Sequence, residues 1–446
     1  ACKAVMVTAP LTVLLYDRMF LAKSSADLIQ RRALVYLGLA ATFSVLVLCG
    51  VVGGVLSITA KNATVGFSVN AVTPWQYLIS QPGAIAYYLR LSFWPHPLCL
   101  DYNWPTAERL VDVLAPALVI IPLVVGIVWG LLRKPWVGFV GAAFFIILAP
   151  TSSFIPIKDL LFEHRMYLPL AAVVVVVVSV VFRGLLYLQQ RRVLDAITLR
   201  IAAAVLLFAV VTPLTYGTIL RNKDYHDALG MWKDVVNKRP NNHRAHLGYG
   251  TAVFALGDKA KVAGDTETAR KYYAAAENAF QTAVDLNDRY ADAWYNLGNA
   301  KNALDKPLEA IQAYQKSMQY RPTNAKAHYN LANVLKDLKR YDEAVTEYQL
   351  AIKFDPEHIK ARVNLGNTLK VLRRIDEAIQ IYLEALEIVP THANTHHNLG
   401  DAYFMLGDYE RALSEFQLAL EYNPSHKHAL RGRDATLARL RQLRGE

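Results

Sequence analysis

From residue 291 the sequence repeats itself every 34 residues, and this period limits the possible fold more than any other feature of the chain. Residues 291–324, 325–358, 359–392 and 393–426 align without a gap. Each unit places a small residue at one position, Gly298, Ala332, Gly366 and Gly400, directly after Leu297, Leu331, Leu365 and Leu399. Ala310, Ala344, Ala378 and Ala412 recur further along, Tyr314, Tyr348, Tyr382 and Phe416 follow four residues later, and Pro322, Pro356, Pro390 and Pro424 end the units. A unit of this size cannot bury its apolar face alone, so it must stack on its neighbours, and the small residue lets two helices approach closely.

Period and pattern are similar to those of the tetratricopeptide repeat (TPR), a helix–turn–helix unit. Two further units are expected upstream. Residues 243–290 have the same start and end with fourteen extra residues around 259–272, which should lengthen the helices or add a loop. Before them, Ala228, Trp232 and Pro240 match the second helix of a unit, so the last apolar helix should run directly into the solenoid. After His426 the charged, Leu-bearing segment 427–444 suits a terminal capping helix.

In each first helix the packing residues fall at i, i+3, i+4 and i+7, leaving another face for a ligand. Asn296, Asn330, Asn364 and Asn398 occupy that face, with Asn299, Asn333, Asn367 and Asp401 three residues on. Asparagine offers an acceptor and two donors, matching the amide and carbonyl of a passing backbone. One Asn per repeat is therefore expected to grip an extended polypeptide without reading its sequence. The rival reading makes the same residues hydrogen-bonding struts between repeats.

The first half differs in kind. The chain of 446 residues is 54% hydrophobic yet carries 48 Lys and Arg against 37 Asp and Glu, an average that hides an apolar region, 1–220, and a charged one, 221–446. Five uncharged stretches, 34–57, 113–132, 136–157, 166–182 and 201–220, reach the roughly 17–20 residues that a membrane-spanning helix needs. The run from Ala4 to Tyr16, closed by Asp17 and Arg18, reads as the end of a sixth span that begins upstream, so the chain is expected to be part of a longer protein. The expected fold is all-α, a polytopic transmembrane helical bundle (1–220) followed by a TPR α-solenoid (221–426) and a capping helix (427–446).

Basic residues cluster at alternate connections, Lys23, Arg31 and Arg32, then Arg133 and Lys134, then Arg183, Arg191, Arg192 and Arg200. Lysine and arginine resist translocation, so these connections should be cytoplasmic and the repeats extracytoplasmic, in a periplasm or an endoplasmic reticulum lumen. The loop 58–112 is rich in aromatic residues around Pro74–Leu78 and Ile85–Trp94, and reads as an interfacial helix ending at Pro95 that anchors the chain or shapes a lipid groove. It also holds an Asn62-Ala63-Thr64 sequon. The net charge of +11 calls for no nucleic-acid partner, because much of the basic excess lies at the ends of apolar runs. Cys2, Cys49 and Cys99 have neither disulfide nor metal-ligand spacing.

Several short motifs follow one another along the chain: Thr8-Ala9-Pro10 to Leu14-Leu15-Tyr16-Asp17, Gln81-Pro82-Gly83 with Tyr88-Leu89-Arg90-Leu91, Leu98-Cys99-Leu100-Asp101-Tyr102, and Glu163-His164-Arg165-Met166-Tyr167-Leu168-Pro169, followed by Arg221-Asn222. Their order resembles the transmembrane and TPR-containing O-mannosyltransferase-like family and its bacterial relatives, of the GT-C glycosyltransferase class. The resemblance implies transfer of a sugar, mannose in the family's name, from a polyprenyl phosphate to a polypeptide, with the catalytic carboxylate in a loop upstream of Ala1. The family often has Arg directly after the Glu, where this chain has His164 and then Arg165. Such transfer needs cations on the leaving phosphate, and Lys158, Glu163, His164 and Arg165, at the mouth of the fifth span, are the candidate donor-phosphate residues. Asp101 and Arg90 are weaker candidates. The lipid-linked sugar is the donor substrate, no cofactor or metal is expected, and the partners are an acceptor polypeptide and membrane lipid. A non-catalytic, membrane-anchored TPR scaffold for envelope or secretory complexes is the alternative.

Overall fold

The computed structural model describes residues 9–17, 73–94, 98–148, 167–191, parts of 195–219, and 227–444. The expected span at 34–57, the Asn62 sequon and the donor-phosphate candidates Lys158, Glu163, His164 and Arg165 lie outside these residues. The described residues form helices joined by turns and by the loop 98–109, with no strand among them, and the chain divides into two compact units, Ala1–Asn242 and His243–Glu446.

The first unit contains α1 (Ala9–Tyr16), α2 (Pro74–Phe93), α3 (Leu110–Arg133), α4 (Pro135–Leu148), α5 (Tyr167–Gln190) and α6 (Ala228–Lys238). Helix α2 joins the two aromatic runs, 74–78 and 85–94, into one helix that ends at Phe93. Thr73 starts it: its hydroxyl accepts from the Gln76 amide at 3.1 Å while the Gln76 carboxamide accepts from the Thr73 amide at 3.2 Å. Its inner face carries Tyr77, Gln81, Ala84, Tyr88 and Leu91, the three-and-four spacing of an amphipathic helix. Among the described residues one helix, Leu110–Arg133, is long and apolar enough to cross a membrane, while Pro135–Leu148 and Val176–Gln190 are shorter apolar helices.

Helix α6 starts at Asp227, whose carboxylate accepts from the amides of Leu229 and Gly230. Its C-terminal end is tied into the first unit. Lys238 Nζ donates to the Leu98 carbonyl at 2.8 Å, Arg239 to the Tyr87 hydroxyl at 3.2 Å, and Asn242 to the Asp101 carbonyl at 3.1 Å. Beside these bonds Cys99 is fully buried, and burial pushes its thiol up to about 11, which makes it a poor nucleophile at neutral pH.

The second unit is a series of antiparallel helix pairs: α7 (His243–Val262) with α8 (Thr266–Leu286), α9 (Ala291–Ala303) with α10 (Pro307–Tyr320), α11 (Ala325–Asp337) with α12 (Tyr341–Phe354), α13 (Ile359–Val371) with α14 (Ile375–Ile388), and α15 (Ala393–Leu406) with α16 (Tyr409–Tyr422), closed by α17 (Lys427–Arg444). The fourteen extra residues are divided between two helices. Helices α7 and α8 have 20 and 21 residues where α9 and α10 have 13 and 14. Seven residues are almost two full turns, so each helix keeps the same face toward its partner. The close contact is accordingly made twice, Gly250 under Phe280 and Gly257 under Tyr273.

In the shorter pairs the aromatic ring of the second helix lies on the small residue of the first: a Cβ at Gly298 would stand 2.6 Å from Tyr314 and one at Gly400 2.9 Å from Phe416. Four unlike residues share one task at the joints between pairs. Trp294, His328, Arg362 and His396 each donate to the carbonyl six residues earlier, that of Asp288, Pro322, Pro356 or Pro390, at 2.6, 2.9, 2.5 and 2.8 Å. Those carbonyls follow a helix end and have no partner within the helix. The capping helix buries Ala429 and Leu440.

Candidate peptide-binding face

All eight polar residues marked by the repeat pattern lie on the first helices of the pairs, α9, α11, α13 and α15. Five of them, Asn299, Asn330, Asn333, Asn364 and Asn367, are arranged by a hydrogen-bond ladder. Asn299 Oδ1 accepts from the Tyr314 hydroxyl at 2.8 Å and from Asn330 Nδ2, one repeat on, at 2.8 Å. Asn330 Nδ2 also reaches the Tyr295 hydroxyl at 3.1 Å. The next step repeats this: Asn333 Oδ1 accepts from Tyr348 at 2.6 Å and from Asn364 at 2.9 Å, and Asn364 reaches Tyr329 at 3.3 Å. Asn367 accepts from Tyr382 at 2.7 Å, and Asn296 donates to the Asp292 carbonyl of its own helix at 2.8 Å.

The ladder engages only half of each amide. Asn299, Asn333 and Asn367 use their carbonyl oxygens, and among the described residues nothing meets their amino groups. Asn330 and Asn364 use their amino groups and keep their oxygens. Each step between repeats therefore offers a donor beside an acceptor, the complement of one peptide unit. Tyr295 and Tyr329, which the small-and-large packing pattern does not single out, complete the ladder; their own spacing of 34 is the signal that marks them.

The last repeat departs from this scheme. Phe416 stands where the other pairs have a tyrosine, and Asp401 where they have asparagine. A carboxylate there meets no hydroxyl and instead faces Lys370 at 3.4 Å and His397 at 3.6 Å. Burial holds the Lys370 ammonium below the usual lysine range, with Asp401 opposing the shift. Burial also lowers His397, where Asp401 opposes and His426, Lys370 and His428 assist. Asn398 has no side-chain partner among the described residues.

Families described as tetratricopeptide repeat match residues 220–269 and 263–318, 302–364, and 357–425. The second half of the chain is a TPR domain. Among solved structures similar to it, YrrB, described as a TPR protein with an unusual peptide-binding site, is 21% identical, covers 46% of this chain and 97% of its own, and has a TM-score of 0.39. MamA is 24% identical over 38% of this chain and 95% of its own, with a TM-score of 0.34. TTC0263, a thermophilic TPR protein in Thermus thermophilus, is 19% identical over 42% and 99%, with a TM-score of 0.34. No curated protein matches the chain.

Proposed function

We propose that this TPR domain holds an extended polypeptide on the face of its first helices, on a protein anchored in a membrane. The supporting observation is the pairing of a spare amide donor with a spare carbonyl acceptor at the Asn299–Asn330 and Asn333–Asn364 steps. Asn296, Asn367, Asn398 and Asp401 extend the same surface. Replacing Asn330, Asn364 and Asn398 together by Ala should weaken peptide binding tenfold or more, about 2–4 kcal/mol if single terms of about 0.5–1.5 kcal/mol add. Melting is measured alongside. Affinity that falls only in step with folding assigns the asparagines to structure alone.

The membrane arrangement follows from the apolar runs: a multi-pass region with the repeats extracytoplasmic, supported by the apolar helix Leu110–Arg133 and the alternating basic connections. A topology reporter placed after Glu446 should be active on the extracytoplasmic side. Cytoplasmic activity would overturn the orientation.

A second reading adds catalysis, transfer of a sugar from a polyprenyl phosphate to the held polypeptide. It is favoured by the motif order that ends in Glu163-His164-Arg165. Arg165→Ala or Lys158→Ala should then impair use of the lipid-linked donor and leave peptide binding unchanged. Equal donor affinity in both variants leaves the membrane-anchored scaffold as the function.

A further inference from the structure

Within the first unit, α2, the following loop and the start of α3 enclose a groove of about 740 Å³. Tyr87 and Trp104 form an aromatic wall with ring centroids 4.8 Å apart. That wall is braced from behind: Arg239 donates to the Tyr87 hydroxyl, and its guanidinium lies 5.4 Å from the centre of the Tyr102 ring, which itself stands edge-on to Tyr87. The charged groups of the lining are Arg90, Glu108, Arg109 and Asp112. Arg109 and Asp112 neutralise one another at 3.0 Å. Arg90 contacts the Tyr87 ring at 5.5 Å and forms no salt bridge among the described residues, and Glu108 forms none there either, although its carboxylate acts on Arg109 at longer range.

The groove thus presents one cation and one anion that are in no salt bridge among the described residues, and an aromatic face. Its far side is apolar. Pro116 of α3 belongs to the lining, and beyond it on the same helical face Val119 and Leu123 are 52% and 42% exposed, on the helix that is long and apolar enough to cross a membrane. A soluble anion has no use for that surface, whereas a lipid uses both parts.

We propose that this groove seats the headgroup of a zwitterionic phospholipid, with the phosphate on the Arg90 guanidinium, the amine at Glu108 and the aromatic wall, and the acyl chains along α3. Arginine presents a planar fork of donors to phosphate oxygens, and an ammonium is attracted to the faces of Tyr and Trp. The opposed free charges give a lining of zero net charge, which suits a headgroup that is itself neutral overall. The inference rests on the membrane reading given above.

The test uses the full chain in an uncharged detergent, titrated with dihexanoyl-phosphatidylethanolamine, dihexanoyl-phosphatidylglycerol, dihexanoylglycerol and free phosphoethanolamine. The phosphatidylethanolamine should bind at least tenfold more tightly than dihexanoylglycerol, which lacks the phosphate, and than phosphoethanolamine, which lacks the chains. Arg90→Gln should weaken it about tenfold, the effect of losing hydrogen bonds to a charged group. Glu108→Gln should remove the preference over phosphatidylglycerol. Both side chains are exposed, and unchanged helicity by circular dichroism checks that the variants fold. Equal binding of phosphoethanolamine makes this a free-anion site and overturns the proposal, as does Arg90→Gln binding within twofold of the parent, or a headgroup preference that survives Glu108→Gln. A chain that partitions into the aqueous phase of a Triton X-114 extraction overturns the membrane reading itself, whereas a detergent-phase chain that fails to bind overturns the headgroup site alone.

Discussion

Asn330 Nδ2 donates to Asn299 Oδ1 at 2.8 Å across the step between two repeats, and the same nitrogen reaches the Tyr295 hydroxyl at 3.1 Å. Asn398 occupies the same place in the last repeat and has neither bond. The two residues should therefore separate strut from grip. In residues 243–446 produced alone, Asn330→Ala is expected to lower unfolding free energy by about 1–2 kcal/mol, since two half-buried bonds are lost. Asn398→Ala should stay within about 0.5 kcal/mol of the parent in denaturant melts. Equal losses in both would show that position 398 is also structural.

The buried histidines predict a pH dependence. His396 faces the Glu415 carboxylate at 2.7 Å and the Pro390 carbonyl at 2.8 Å, and His328 is placed identically between Glu347 and Pro322. Both partners of each ring are acceptors, so both ring nitrogens must carry protons. Burial opposes that charge, but the carboxylate and carbonyl outweigh it and hold both histidines above the ordinary 6.5. A raised folded pKa contributes stability that is complete below 6.5 and lost as pH rises through the folded value. His396→Gln should therefore reduce the melting temperature more at pH 5.5 than at pH 8.5. His358, His392 and His397 are lowered chiefly by burial, so their contribution is present above 6.5 and lost as pH falls. Their replacement should have the opposite pH trend.

The turns inside the pairs use the left-handed region at one equivalent position: Asp305, Lys339 and Arg373 at φ +62°, and Gly407 at +84°. A side chain there costs about 1–2 kcal/mol, partly offset by the greater unfolded freedom of glycine. Arg373→Gly is expected to stabilise the domain by about 0.5–1 kcal/mol, and Gly407→Ala to destabilise it by about 1 kcal/mol. Denaturant midpoints of the two variants moving in the same direction would contradict this.

The small-residue position tolerates little growth. Ala332 fills the equivalent position of the next repeat, in one core with Tyr348, so Gly298→Ala should be accommodated by a shift of the Tyr314 ring. Gly298→Val should overpack the α9–α10 contact and destabilise by about 1–3 kcal/mol. Thermal melts of the pair of variants check the order; an equal effect of Ala and Val would mean that the helices separate freely.

Much of the second unit was legible because a solenoid repeat contacts only its neighbours and its packing residues recur with the period. Gly298, Leu297, Ala310 and Tyr314 announce a helix pair by spacing alone, and the capping segment by its charge. The division of the fourteen extra residues was not legible, because a loop insertion and a two-turn extension of both helices have the same length; the paired contacts of Gly250 with Phe280 and Gly257 with Tyr273 decide for the extension.

Sequence alone determined the all-α repeat architecture, the start and end of each aligned unit, and the row of asparagines on one helical face, since all of these depend on periodicity along a single helix. Tertiary structure decided which half of each amide remains free. Asn299, Asn330 and Asn398 are chemically identical side chains, and whether a carbonyl or an amino group is already engaged depends on partners 15 to 35 residues away in the chain. The ties of Lys238, Arg239 and Asn242 to Leu98, Tyr87 and Asp101 are likewise invisible to any pattern, because those partners lie 140 to 152 residues away and only packing brings them within hydrogen-bonding reach.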